Sequence, residues 1–355
     1  MTGNNSPISI LSQKNPWKKN DNKVWLASTV VLLRNLEKFN FPPKLPTEKQ
    51  KAIVALVTSE ITKQKGLKEP QMFSAKQTDP IAKEYLTEHF LLTEDIHQAH
   101  GGEAFVLDSS GEFITTLNMG DHIHFGLMDS KGELESGWNR LIKIESAMGK
   151  AFKYAFSQRF GFLTADPSLS GTALQISLYL QLPALVHSEK IDDALEAHAN
   201  ENYLVMGLQG SPTEIIGDVL VIKNNYTLGV TEENILTSLR NIATKLMLEE
   251  NAARSEIRQK DSAEIKDRVS RAYGILIHSY QIEAIEALNA LSLIKLGVDL
   301  DWVSGIGTAK INELFFNCRR AHLLTLFKEE IPQEELGHKR AEYIHKALEK
   351  VKLKI

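Results

Sequence analysis

The sequence predicts an α+β fold, and three stretches of its 355 residues carry the prediction. Between Glu103 and Leu134, two alternating apolar runs flank Ser109-Ser110-Gly111 and a third ends at Ser130-Lys131-Gly132, the pattern of an antiparallel meander. Ile235, Leu239, Ile242 and Leu246 recur at helical spacing, so a long helix turns one face to a core. Ahead of both, Pro42, Pro43 and Pro46 stop the chain before a further helical stretch. The expected architecture is a small helical N-terminal lobe before a larger lobe, in which helices flank an antiparallel sheet.

Taken in order, residues 1–22 are polar and read as a mobile tail. Their one apolar run, Ile8 to Leu11, is shorter than the roughly 7–15 residues of a signal-peptide core. Residues 24–36 are apolar and β-branched, so a strand is expected. Helices follow at about 47–65, with Thr47 as N-cap and Glu48 in the first turn, and at about 79–90. After the meander come a helix over 133–157, a short strand near 160–164 and a helix over 172–182. Tyr203–Leu208 and Asp218–Asn224 read as strands. Thr231 caps the long helix, and a second, charge-rich helix is expected over 249–273. Short helices close the chain. These elements give a tail over 1–22, a helical lobe over 23–100, an α+β lobe over 101–282 and a helical extension over 283–355.

Composition narrows the function classes. A net charge of −4, from 41 basic and 45 acidic side chains, argues against bulk binding to nucleic acid or anionic membrane. Cys318 is the single cysteine, so no intramolecular disulfide can form and a reducing compartment fits. No run approaches the ~20 apolar residues of a membrane helix. The expected location is the cytoplasm.

Five segments stand in order along the chain. They are Ala27-Ser28-Thr29-Val30-Val31-Leu32-Leu33-Arg34-Asn35, Thr87-Glu88-His89-Phe90, Asn118-Met119-Gly120-Asp121-His122-Ile123-His124, the run Gly161 to Ser177, and Met206-Gly207-Leu208-Gln209-Gly210-Ser211. In order and spacing they resemble the motifs of the bacterial protein-arginine kinases (the McsB family) of the phosphagen, or ATP:guanidino, kinase superfamily. The resemblance spans about nine-tenths of the chain and implies a guanidino-kinase fold. The lobe over 101–282 then matches the catalytic lobe.

The same resemblance marks what is missing. Where the family carries the arginines that clamp ATP, this chain has Thr29, Val31, His124, Gln175 and Met206; His89 is kept. Where it carries guanidine-binding glutamates, the chain has Met119, Gly120 and Ser211, and Asp166 replaces a cysteine. Phosphoryl transfer depends on positioning and on cancelling phosphate charge, which the planar arginine fork does well. One such hydrogen bond to a charged group contributes ~1.5–3 kcal/mol, and a stabilising arginine can be worth ~10³–10⁵ in rate. Arg34 and Arg159 are the arginines nearest the matched segments, too few to replace five. The family's C-terminal phosphoarginine motif reads Leu336-Gly337-His338-Lys339-Arg340-Ala341, without its first arginine and its aspartate.

The expectation is a pseudokinase that has lost phosphotransfer and ATP binding. It would act through protein contacts, with an McsA-like zinc protein implied as partner in protein quality control, and with self-association as a homodimer a further expectation. The apolar residues Leu314, Phe315, Phe316, Leu323, Leu324 and Phe327 make residues 283–350 the docking candidate. The alternative is an active protein-arginine kinase with a rebuilt site, using ATP and magnesium. A weaker alternative is nucleic-acid binding through Ser304 to Ile311, whose glycines resemble a helix-hairpin-helix turn. His122 and His124, two apart on an expected strand, raise a zinc reading in which His89, His97 or His100 would supply a third ligand; the plainer reading is a pair of partly solvated histidines lining a pocket, and no metal or other cofactor is expected.

Overall fold

The computed structural model describes residues 6–13, 15–211, 213–327 and 330–355. The elements begin with α1 (Pro7–Gln13), β1 (Trp25–Arg34), α2 (Thr47–Ile61), β2 (Gln71–Ser74), α3 (Pro80–Glu88), β3 (Ala104–Leu107), β4 (Phe113–Leu117) and β5 (Ile123–Asp129). They continue with α4 (Leu134–Gly149), β6 (Phe156–Ser157), β7 (Gly161–Phe162), β8 (Leu174–Gln181), α5 (Pro183–His187), α6 (Ile191–Ala197), β9 (Tyr203–Gly207) and β10 (Val219–Asn224). The rest is α7 (Glu232–Lys260), α8 (Ala263–His278), α9 (Ala284–Asp299), β11 (Val303–Ser304), α10 (Thr308–Asn317), α11 (Arg320–Leu326), α12 (Leu336–Leu348) and β12 (Lys352–Leu353). An eight-stranded sheet runs in the order β2-β3-β4-β5-β1-β8-β10-β9, and its pairings from β2 to β1 are antiparallel. Mixed helices and antiparallel strands make the fold α+β, as expected.

The chain divides into two compact units. The first holds Met1–Asn15, Ser28–Ser177 and Lys223–Ser238; the second holds Pro16–Ala27, Leu178–Ile222 and Leu239–Ile355. In the first, alternation along β5 separates two faces. Gly126 points to one, where its missing side chain leaves room for Ile114, 3.1 Å from an ideal Cβ. Leu127 points to the other and meets Gly137 of α4, whose Leu141, Ile144 and Met148 are buried. One face is thus closed by a helix, and the Gly126 face is left to the site described below. In the second unit, Trp17 stacks on Phe316 at 3.5 Å between ring centroids, and Lys295 of α9 donates to Asn22 O at 3.0 Å and Gln181 Oε1 at 2.9 Å.

Several local expectations need correction. The stretch expected as a helix over 172–182 is strand β8: Leu174, Ile176, Leu178 and Leu180 alternate with Gln175, Ser177, Tyr179 and Gln181, a period of two that outweighs the cap-like Gly171-Thr172. Within the expected tail, Leu11 and Trp17 are fully buried, because one apolar side chain per turn suffices to dock a short segment; residues 1–5 and 14 lie outside the described residues. The long helix capped by Thr231, whose Oγ1 accepts from Asn234 N at 3.2 Å, runs on to Lys260. It breaks only at Asp261 (φ 49°) before Ser262 caps α8. Leu314, Phe315, Phe316 and Leu323 are buried inside the second unit and serve its own core, while Leu324 and Phe327 are half-buried. Among the described residues no helix is long and apolar enough to cross a membrane.

Candidate functional site

Four adjacent strands of the first unit floor a cleft of about 640 Å³. Ile114 and Thr116 come from β4, His124 and Gly126 from β5, Val31 and Leu33 from β1, and Gln175 from β8. The register explains why they meet. Val31 pairs with Gly126 and Leu33 with His124 across β1–β5, while Ile114 pairs with Gly126 and Thr116 with His124 across β4–β5. Paired residues share a face. The walls come from Leu91 to Glu103, from the turn Asn118-Met119-Gly120-Asp121, and from Ala165, Asp166 and Leu169.

The cleft brings together most of the positions marked in the sequence: Val31, Met119, Gly120, His124, Asp166 and Gln175. Thr29 is half-buried on β1 opposite Met128 and is not among the lining residues, nor is His89, which is fully buried and stacks on Tyr85. Met206, on β9, and Ser211 belong to the second unit, where Gly207 N donates to Ser211 O at 2.6 Å in a tight turn. Gly120 has φ +79°, a conformation that strains a glutamate at that position.

The charge of the cleft is the reverse of what polyphosphate requires. Among its described lining residues none is lysine or arginine, while Glu103, Asp121 and Asp166 supply carboxylates. Asp121 Oδ1 accepts from Asn35 Nδ2 and from Ala165 N at 2.6 Å, and Oδ2 lies 3.5 Å from His124 Nε2. Burial pushes this carboxyl up, but the nearby His124 ring and the hydrogen bonds from Asn35 and Ala165 outweigh burial and hold it below the usual carboxylate range. The side-chain and backbone hydrogen bonds of Ser168 lower Asp166 as well. Both are therefore ionised at neutral pH.

The nearest arginines do not enter. Arg34 is buried, with Nε 2.6 Å from Glu145 Oε1, Nη1 donating to Leu33 O and Thr172 O, and Cζ 3.5 Å from the centre of the Phe162 ring. Arg159 lies over Phe160. His122 does not join His124: its Nδ1 accepts from Leu36 N and its Nε2 meets Asn40 O, each at 3.0 Å, so both ring nitrogens are used by backbone. Among the described residues no group of three His, Cys, Asp or Glu side chains could hold a metal ion. A larger hollow of about 870 Å³ between residues 63–66 and α4 contains none of the matched positions, and its Arg140 is already paired with Asp108 and Glu112.

Further along the chain, Gly305 (φ +90°) would place a Cβ 2.3 Å from Lys350 O, so packing alone accounts for a glycine in the 304–311 turn. Arg340 of the C-terminal motif is buried and donates to Cys318 O and Ile282 O. Sequence reasoning missed Thr116 and Glu103, since nothing in their neighbourhoods marks them until the strands pair.

Comparison with known families places this geometry. The family model for the ATP:guanido phosphotransferase C-terminal catalytic domain matches residues 52–253, more than half of the chain, and the model for the protein-arginine kinase McsB C-terminal domain matches 262–354. A protein-arginine kinase of Chlamydia pneumoniae is 35% identical over 327 residues, covering 90% of each chain. The chain belongs to the protein-arginine kinase family. A second relative, the protein-arginine kinase of Halothermothrix orenii, is 30% identical over 321 residues, covering 90% of this chain and 91% of its own. The fold is that of guanidino kinases: lombricine kinase superposes with a TM-score of 0.56 at 19% identity, covering 66% of this chain and 68% of its own. The duplicated taurocyamine kinase of Schistosoma mansoni, solved with transition-state analogue components, gives 0.54 at 24% identity, covering 63% of this chain and 32% of its own. In this member of the family, the cleft has no lysine or arginine among its described lining residues.

Proposed function

We propose that this member of the protein-arginine kinase family no longer transfers phosphate and works by binding other proteins. One observation carries the reading: the cleft that gathers Val31, His124 and Gln175 has three carboxylates and no lysine or arginine among its described lining residues. Like charges close together in a partly buried cleft repel a nucleotide triphosphate, and magnesium cannot replace a ring of donors that fixes phosphate orientation. ATP affinity is then no tighter than about millimolar, roughly −4 kcal/mol. The partner class suggested by the family is a zinc-binding McsA-like activator, within protein quality control in the cytoplasm.

Calorimetric titration with magnesium-ATP, together with an assay for acid-labile phosphoarginine on a basic protein, tests the reading. A micromolar nucleotide site with magnesium-dependent turnover by the pure chain would overturn it. The second reading, an active protein-arginine kinase with a rebuilt site, draws support from relatives named as such kinases over nine-tenths of the chain. It also draws on Asp121 and Asp166, which keep acids in the cleft that could act as base. The phosphoarginine assay separates the two.

A further inference from the structure

We propose that the cleft has changed the sign of its ligand and binds an aliphatic primary ammonium group through Thr116, Asn118, Glu103 and Asp166. This rests on the reading above, that the cleft no longer serves a nucleotide. Thr116 and Asn118 are 7% and 3% exposed, and Thr116 Oγ1 and Asn118 Oδ1 have no hydrogen-bond partner among the described residues. The orientation of the Asn118 amide is fixed, because its Nδ2 already donates to Gln50 O at 3.0 Å and Gly102 O at 2.8 Å. Its oxygen is left as an acceptor that only an incoming donor can satisfy. A buried polar group without a partner is costly, so a donor arriving from a ligand is favoured there.

Two carboxylates of the walls agree in sign, beside the neutral polar residues and the histidines His100 and His124. Glu103 is half-buried with Oε2 accepting from His100 N, and Asp166 is exposed with Oδ1 accepting from Ser168 N and Oγ, which leaves Glu103 Oε1 and Asp166 Oδ2 to meet a donor. Leu91 and Ile96 line the same wall and suit the methylene stem of a long cationic side chain. The acceptors stand singly, on β4, on the turn after it and on two separate loops, and Met119 and Gly120 bring no carboxylate pair. Single acceptors at separate points match the three rotatable donors of an ammonium group better than the rigid planar fork of a guanidinium. The ligand chemistry could come from a lysine side chain of a partner protein or from a free diamine.

Calorimetry at low ionic strength with the full chain decides the matter, using four probes: a lysine-centred peptide, the same peptide with arginine, 1,5-diaminopentane and magnesium-ATP. The lysine peptide is expected to bind at least tenfold tighter than the arginine peptide and than ATP. The diamine binding as tightly as the peptide would identify a free amine as the source, and weaker diamine binding a protein side chain. Thr116→Val should weaken lysine-peptide binding at least tenfold; Glu103→Gln, at a half-buried position, does the same without risk to the core. Absence of amine binding, tighter binding of the arginine peptide, or wild-type affinity in both variants overturns the proposal. If neither amine nor ATP binds, this inference fails while the proposed loss of phosphotransfer stands; micromolar ATP binding removes both.

Discussion

Val31 and Arg34, close together on strand β1, face opposite surroundings. Thr29 and Val31 are neutral, and Val31 lines the cleft, whereas Arg34, a few residues on, is a buried cation bound to Glu145. The difference lies in what each side chain faces. Val31 looks into the cleft, where a neutral residue leaves the fold intact. Arg34 looks into packed protein, where its guanidinium lies over Phe162 and feeds two backbone carbonyls. A charge needed only for a ligand can be lost silently; a charge needed by the interior cannot. Within this one strand, a residue facing the cleft and a residue facing the interior answer to different constraints.

The sharpest way to break that comparison is to remove the buried charge. Arg34→Met should cost about 3–5 kcal/mol, since Glu145 is left charged, buried and unpaired. Chemical denaturation measures it. The double change Arg34→Met/Glu145→Leu should recover much of the loss, because replacing both partners removes the uncompensated charge. Equal losses in the single and double variants would mean that Arg34 acts by packing on Phe162 and not by charge.

A steric version of the same contrast concerns Gly171. Its φ of +109° and an ideal Cβ only 2.2 Å from Thr227 O leave no room for a side chain. Gly171→Ala should destabilise by about 3 kcal/mol, read as a lower denaturation midpoint. Gly210, also at positive φ but with nothing near its Cβ position, should lose less on the same change, since only the backbone term remains.

The second unit offers a charge kept inside at a cost. Burial, with Arg254 nearby, lowers Lys295 from 10.5 to about 7, against the opposing pull of Asp299 and Glu250. In the pH window between about 7 and 10.5 the unfolded chain binds the proton and the folded chain does not. Stability therefore rises with pH across that window, and the full cost of the buried charge is present below it. Denaturation at pH 6.5 to 9, in steps of about half a unit as set by the ~1.4 kcal/mol per pKa unit linkage, should show the rise. Lys295→Met should flatten it. A profile unchanged in the variant would assign the slope to other groups.

Much of this was legible in the sequence, and what was not follows one rule. Strands announced by alternation between turn signals, such as β4 and β5, and a helix announced by its cap, such as α7, are readable because their information is local. Strand β8 was not, because Gly171 and Thr172 resemble a helix start while Gln175 and Gln181 blur an alternation that only pairing makes decisive. The matched positions Val31, His124 and Gln175 were found by resemblance, and register then placed them on one floor. Thr116, Glu103 and the wall over 91–103 were invisible, since a threonine on a strand and a glutamate before one carry no motif. Only three-dimensional pairing turns them into acceptors facing a cleft. Thr29 and His89 stand at positions of the matched segments in sequence and are not among the lining residues of the cleft.

The smallest expected effect tests the silent half of the comparison. Gln175 is exposed on the cleft floor and makes no contact that the core requires. Gln175→Arg should change stability by less than about 0.5 kcal/mol, as surface substitutions away from packed features do. Its effect on nucleotide should be small but directional. One returned guanidinium can add at most ~1.5–3 kcal/mol of charged hydrogen bonding, and the carboxylates of Asp121 and Asp166 spend part of that by pairing with it. Affinity for magnesium-ATP should rise by about tenfold or less, in calorimetry, and under the proposed loss of phosphotransfer no turnover should appear, because the residues of such a site act as a unit. A single reversion that restored phosphoarginine formation would mean that the remaining machinery had been intact throughout. The difference between Arg34 and Val31 would then be one of tuning within a working kinase rather than of packing kept and chemistry lost.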